Sequence, residues 1–212
     1  MQHEPVAEVG RFLRRQDRAQ LLLDLCRVFP AGKAQQIADA DTVLANSDII
    51  TCHCPLTPDT QGMMNAAAFA KMKDGAILIN NAGCGYLGRM GETETAVQTR
   101  MVDLNVRAMP AMTNLVIPYM PAGGRILNTS SIASFCRMTV YGASKAYVSS
   151  FTVGLSEELK RRDITVTAVC PGPMKTEFLD VGSITGRSPA FEYLPYCDQV
   201  RVAAGALRAA KA

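Results

Sequence analysis

A doubly wound α/β fold around a parallel sheet is what this 212-residue sequence predicts, on three observations. Short β-branched and apolar runs alternate with helical patterns over much of the chain, the rhythm of strands joined by crossover helices. The runs are largely apolar, without polar alternation, as strands covered on both faces should be. A composition that is 48% hydrophobic and 19% charged suits one globular domain with a sizeable core, so residues 1–212 are read as a single three-layer domain.

The first expected strand is 48–54 (DIITCHC), followed by a helix over 65–73. A second strand, 76–80 (AILIN), leads into a long helix over 92–119. Pro110 falls inside that helix and should kink it, because it removes one donor and crowds the preceding turn. The third strand is 125–129 (RILNT), the next helix 140–162, the fourth strand 164–169 (ITVTAV) and the closing helix 198–211. No internal repeat and no low-complexity linker interrupts this order.

A formal net charge of +3, with basic residues spread along the chain, gives no footprint for nucleic acid or an anionic membrane. No apolar run is long enough to cross a bilayer, and the polar start MQHEPVAEVGRFLRR lacks the apolar stretch of a signal peptide, so a cytoplasmic protein is expected. Seven cysteines without framework spacing fit reduced thiols. In Cys52-His53-Cys54 a strand would put both thiols on one face and His53 on the other, and the only other histidine is His3; no metal site is expected.

Two stretches bear on chemistry. Gly83-Cys84-Gly85-Tyr86-Leu87-Gly88 fits G-x-G-x-x-G, the spacing that lets backbone N–H groups approach a pyrophosphate at a helix N-terminus. Tyr141-Gly142-Ala143-Ser144-Lys145 places a phenol and an ammonium one helical turn apart. A neighbouring cation favours the phenolate, so Lys145 is expected to lower the Tyr141 pKa and make the phenol a usable acid or base.

The order of five motifs gives these stretches a context. Asn80-Asn81-Ala82-Gly83 follows a strand, Asp103-Leu104-Asn105-Val106 lies in the long helix, and Asn128-Thr129-Ser130-Ser131 ends the next strand. Tyr141/Lys145 and Cys170-Pro171-Gly172-Pro173-Met174-Lys175-Thr176 complete the series. From about residue 80 to 181 the chain resembles the short-chain dehydrogenase/reductase family. The resemblance implies a Rossmann-like doubly wound parallel sheet, here incomplete at its first and last strands, and a nicotinamide cofactor, NADP or NAD. It implies Tyr141 as proton donor or acceptor to a carbonyl/alcohol pair, and Lys145 as the residue that lowers its pKa and holds the nicotinamide ribose. Ser131 would hydrogen-bond the reacting oxygen, and Asn105 would hold a water in the proton relay. Pro171, Gly172 and Thr176 would line the nicotinamide end, while Asn81, Ala82 and Gly83 would stabilise the central sheet and pass beside the adenosine half. Residues 178–187 match the mobile substrate loop. The 83–88 run then reads as the turn after the second strand followed by a glycine-rich loop, not as the pyrophosphate loop. Ser131 precedes Tyr141 by ten positions, fewer than the family usually keeps, so Ser130 or Ser134 could take its place.

The family's pyrophosphate loop, T-G-x-x-x-G-x-G, has no match before residue 75, where only Gly10, Gly32 and Gly62 occur. Residues 41–80 instead resemble the nucleotide domain of the D-2-hydroxyacid dehydrogenases, whose catalytic glutamate and histidine have no counterpart here. The chain therefore reads as a composite joined at 79–81. The run RRQDR at 14–18 resembles the basic residues that accept an NADP 2′-phosphate in some reductases, although a solvated helix face also explains it. Three functions follow: an NAD(P)-dependent oxidoreductase on a small carbonyl/alcohol substrate, a silent relative acting as an oligomerisation module, or a D-2-hydroxyacid dehydrogenase. By family analogy the long helices would pair copies into a homodimer or homotetramer.

Overall fold

The computed structural model describes residues 40–46, 49–51, 65–72, 74, 77–176, 178–179, 182 and 194–211. Four parallel strands lie side by side in chain order: β1 (Ile49–Thr51), β2 (Ile77–Asn80), β3 (Arg125–Thr129) and β4 (Thr165–Val169). Register pairs Ile49 with Ile77, Ile77 with Arg125, and Arg125 with Thr165, so all four strands run in step. Every carboxyl end therefore reaches the same edge, where ligands of doubly wound sheets bind.

The helices are α1 (Ala40–Asn46), α2 (Ala66–Ala70), α3 (Thr95–Val102), α4 (Ala108–Val116), α5 (Val140–Leu159) and α6 (Gln199–Lys211). Helix α1 is absent from the sequence expectation. It starts with Asp41 in its first turn, buries Leu44, and Asp41 pairs with Lys71 beyond α2 at 2.6 Å. Asn65 caps α2 by accepting a hydrogen bond from the Ala68 N–H.

Pro110 does not mark the break in the long helix. The distortion lies one turn upstream, in a π-turn over Asp103–Arg107 where the Ala108 N–H donates to the Asp103 carbonyl. Proline cannot donate to the carbonyl four residues back and its ring crowds it, and widening the turn just ahead relieves both demands.

Burial is continuous through the middle of β3, Ile126 to Asn128, because both sheet faces are covered. Ile126 packs with Leu78, Val166, Val116, Leu155 and Leu159 under α4 and α5. Leu127 points the other way and is also buried, and α6 lies against β3 and β4. Three layers result, as expected. The α5 face carries a chain of buried amides and hydroxyls: Asn80 Nδ2 donates to Thr113 Oγ1 and Asn128 Oδ1, and Asn128 Nδ2 donates to Thr152 Oγ1. These ties bind β2, β3, α4 and α5; Thr113, Asn128 and Thr152 are buried, so their polar groups must be paired, while Asn80 is half-buried.

Replacing Asn128 by Leu removes its bonds to Asn80 and Thr152 and leaves Asn80 Nδ2 with Thr113 alone. Urea unfolding should report a loss of about 2–3 kcal/mol relative to the parent protein. A loss under about 0.5 kcal/mol, the ordinary scatter of surface changes, would mean that the chain of amides does not hold the layers together.

Candidate active site at the strand tips

Three strand ends deliver the candidate residues. β2 runs out into Asn81, Ala82 and Gly83, β3 into Ser130 and Ser131, and β4 into Cys170, Pro171 and Gly172. Backbone bonds lock the second and third together: Ser130 N–H donates to the Val169 carbonyl at 2.8 Å and Ile132 N–H to the Pro171 carbonyl at 3.0 Å. Ser131 caps a short 3₁₀ turn, its Oγ accepting the Ala133 N–H.

Helix α5 carries Tyr141 and Lys145 on its buried face, 6% and 5% exposed. Lys145 Nζ donates to the Thr129 carbonyl at 3.0 Å, fastening the helix to the tip of β3. Ser130 Oγ strengthens the join through the Lys145 carbonyl and Ser149 Oγ, both at 2.8 Å. Burial pulls the ammonium pKa down from 10.5 to about 8, with Cys84 and Cys170 pushing back.

The structure separates the three serines. Ser131 hydrogen-bonds the Tyr141 side chain. Ser130 is occupied with α5, and Ser134 Oγ donates to the Ser131 carbonyl. The expected acidity of Tyr141 is corrected by the same geometry. Burial pushes its pKa above the ordinary value of 10, the Ser131 bond pulls it down, and Cys84 pushes it up. Among the described residues no hydrogen bond joins Tyr141 to Lys145, whose ammonium is turned to Thr129.

Asn105 sits in the π-turn and is 3% exposed. Its Oδ1 accepts the Cys84 N–H at 2.9 Å, and its Nδ2 donates to the Cys84 carbonyl at 2.8 Å and to Ser144 Oγ at 3.0 Å. The amide thereby grips the loop after β2 from both sides. Gly83 fits the gap this leaves, since a Cβ there would lie 3.2 Å from Asn105 Oδ1 and 3.3 Å from Lys145 Nζ. Asn81 and Ala82 are exposed and, with Asn105 and Lys145, border an apolar pocket beside Met109 and Met112. The sheet-stabilising role expected of Asn81 to Gly83 falls one residue earlier, to Asn80.

The 83–88 run is not a phosphate loop. It continues as irregular backbone to Arg89 and the next helix begins only at Thr95. Gly88 is pressed against Thr93 and Tyr86, so it serves packing. Instead the loop turns Cys84, Tyr86 and Leu87 onto a cluster built from Met101, Ala133 and Tyr141, joined by Met138, Val140 and Phe178. The Phe178 ring lies 5.9 Å from the Tyr141 ring. Cys84 is a site neighbour that sequence reasoning did not assign, its only hint being its place just after Gly83, whereas Phe178 opens the expected substrate loop.

Gly172 is backed by Cys197, and Thr176 accepts the Leu179 N–H on its carbonyl. A nicotinamide and its ribose suit this surface: a buried ammonium, amide groups and close-approach backbone at Gly83 and Gly172 converge there. No described residue offers the cluster of backbone donors a pyrophosphate needs. The basic run at 14–18, the Cys52-His53-Cys54 run and most of the 178–187 loop lie outside the described residues. Among the described residues no group of three ligating side chains could hold a metal, and no helix is long and apolar enough to cross a membrane.

Because Lys145 titrates near 8 when folded and near 10.5 otherwise, above pH 8 the unfolded chain holds a proton that the folded chain has released. Stability therefore rises with pH from 8 towards 10.5. Tyr141 has the opposite sign, its contribution being complete below pH 10 and lost as pH climbs through its raised folded value. The Cys84 thiol, which burial raises above 9.0, opposes the gain above pH 9; between pH 8 and 9 urea unfolding should show a gain of about 1 kcal/mol that Lys145→Met abolishes. Parallel curves for the two proteins would exclude the buried ammonium.

Comparison with known proteins agrees with this geometry. The family model for short chain dehydrogenase matches residues 26–187. Sulfoacetaldehyde reductase 2 of Chromohalobacter salexigens is 35% identical over 118 residues, 52% of this chain and 46% of that protein. The short-chain dehydrogenase from Sphingobium yanoikuyae in complex with NADPH superposes with a TM-score of 0.56 at 27% identity, covering 68% of this chain and 58% of that one. D-3-phosphoglycerate dehydrogenase 1 of Saccharomyces cerevisiae is 43% identical over 60 residues, 28% of this chain and 13% of that protein. The chain spans about half the length of the curated relatives it matches. Fold, motif order and a match over most of its length agree: the chain belongs to the short-chain dehydrogenase family.

Proposed function

We propose that the protein is an NAD(P)-dependent oxidoreductase that interconverts a carbonyl and an alcohol, with Tyr141 as general acid and base. The observation that carries this reading is the buried phenol of Tyr141, hydrogen-bonded to Ser131 and one turn from an ammonium anchored at a strand tip. The cofactor, when bound, supplies or takes up a hydride. Lys145, Asn105 and Gly83, with Asn81 and Ala82 at the rim, would hold its nicotinamide half, and Pro171, Gly172 and Thr176 the opposite wall. NADPH in the Sphingobium relative supports NADP as its form.

In reduction Tyr141 would give its proton to the carbonyl oxygen, and in oxidation it would take the proton from the alcohol. Burial keeps the phenol protonated at neutral pH, the form reduction requires. Ser131 Oγ accepts the Ala133 N–H, and its O–H, directed at the Tyr141 oxygen, would turn to the developing oxyanion when a substrate is bound. Lys145 keeps α5 seated so that Tyr141 and Ser131 face the same oxygen. A silent relative is the second reading, favoured by the missing T-G-x-x-x-G-x-G loop. A cytoplasmic location accords with the sequence reading.

Tyr141→Phe should lower turnover by about 10²–10⁴-fold, the usual share of a general acid, while NADPH titration followed by thermal shift stays near the parent curve. Comparable turnover in the variant would exclude the role, and a flat NADPH titration of the parent protein would favour the silent reading. We also propose a homodimer or homotetramer, since Val102, Leu115, Tyr119 and Val153 are exposed on the long helices. Light scattering after size exclusion should give at least twice the chain mass; monomer alone would count against it.

A further inference from the structure

The segment that opens α6 does more than begin a helix. Asp198 caps it, its Oδ1 accepting the Arg201 N–H at 2.7 Å and its carbonyl the Val202 N–H at 3.0 Å. Residues on both sides of that cap turn to the loop that leaves β4. Cys197 N–H donates to the Pro173 carbonyl at 2.7 Å, and its sulfur lies 3.0 Å from the place a Cβ on Gly172 would occupy. Gln199 Nε2 donates to the Lys175 carbonyl at 2.7 Å. The Lys175 ammonium sits 5.3 Å from the centre of the Tyr196 ring, a cation–π contact.

Together these contacts form a clasp. The Pro171 carbonyl is held from the β3 side by the Ile132 N–H, so alternate carbonyls of the loop, at 171, 173 and 175, each accept a donor from the protein. Pro171 and Pro173 have fixed φ angles, which leaves the stretch few ways to move once those carbonyls are taken. The clasp itself is firmly seated, because α6 packs against β3 and against β4, the strand from which the loop departs. A loop that is loose in the unliganded protein must be ordered at the moment of binding, and that ordering subtracts from affinity. Here the ordering is already done by the fold.

Resting on the function proposed above, we infer that Tyr196, Cys197 and Gln199 are positioning residues. They hold the 171–176 loop in its binding geometry before a cofactor arrives, and so set the affinity for NADPH through Gly172 and Thr176.

The test uses the full chain and reads the loop and the cofactor separately. In the cofactor-free protein, hydrogen exchange followed by mass spectrometry should be about fivefold faster over residues 172–176 in the double variant Tyr196→Ala/Gln199→Leu than in the parent, with β3 unchanged. Titration followed by NADPH fluorescence should show a dissociation constant raised about threefold by Gln199→Leu and about fivefold or more by the double variant, the losses expected of a hydrogen bond and an exposed cation–π contact. Tyr196→Phe keeps the ring under Lys175 and should match the parent. Parental exchange or parental affinity in the double variant overturns the inference and leaves the oxidoreductase reading standing, as does exchange that rises equally in β3. A parent protein that takes up no NADPH overturns that reading instead, and the exchange contrast alone then supports or overturns the clasp.

Discussion

An ammonium buried at the tip of a strand is the constraint around which this molecule is arranged. Lys145 Nζ can be kept out of water only because the Thr129 carbonyl ends β3 with its oxygen free to accept. A terminal carbonyl of a parallel strand has no further ladder partner, so it is available at the carboxyl edge. That fixes the axial position of α5 against β3, and Ser130, bonded to the Lys145 carbonyl and to Ser149, fixes its rotation. Tyr141, one turn earlier, then has no freedom to choose another neighbour than Ser131 and the loop after β2.

The opposite side of the same edge depends on one amide. Asn105 uses both ends of its side chain on Cys84, and its third bond reaches Ser144 on α5. The π-turn holding it is a local distortion that the helix ahead of Pro110 tolerates because the proline has already removed a donor from the ladder. Sequence and site thus share a cause: the residue that breaks helical regularity permits the turn that carries Asn105.

Strands and motifs were legible because each rests on local chemistry. An apolar run such as ILIN or RILNT is a buried strand almost regardless of context, and the expected bounds differ from the observed ones by few residues. Asn105, Ser131, Tyr141 and Lys145 were singled out by their order along the chain, and their roles are those proposed above. What was not legible depends on through-space effects. Helix α1 is short and polar, and its Leu44 becomes a core residue only once the sheet exists. The phenol shift required knowing that burial outweighs the Ser131 hydrogen bond, with the Lys145 ammonium directed at Thr129. Phe178 lies far from Tyr141 in sequence, and no spacing rule could have set their rings together.

The short chain dehydrogenase match runs across residues 79–81, where the sequence reading places a join of two lineages. Strand β1, in the part that resembles hydroxyacid dehydrogenases, pairs in register with β2, whose last residues open the short-chain motifs. Parallel ladders are made of backbone groups, which are the same in every sequence, so a strand from one lineage can satisfy its neighbour from another. The tips are different, because a phosphate loop is a particular glycine pattern feeding a particular helix, and backbone pairing does not carry it across the join. In this chain the stretch after β2 has glycines at the nominal spacing, yet they are spent on fitting Gly83 beneath Asn105 and Lys145 and Gly88 against Tyr86. Glycine spacing reports close backbone approach; what is approached here is the protein's own side chains.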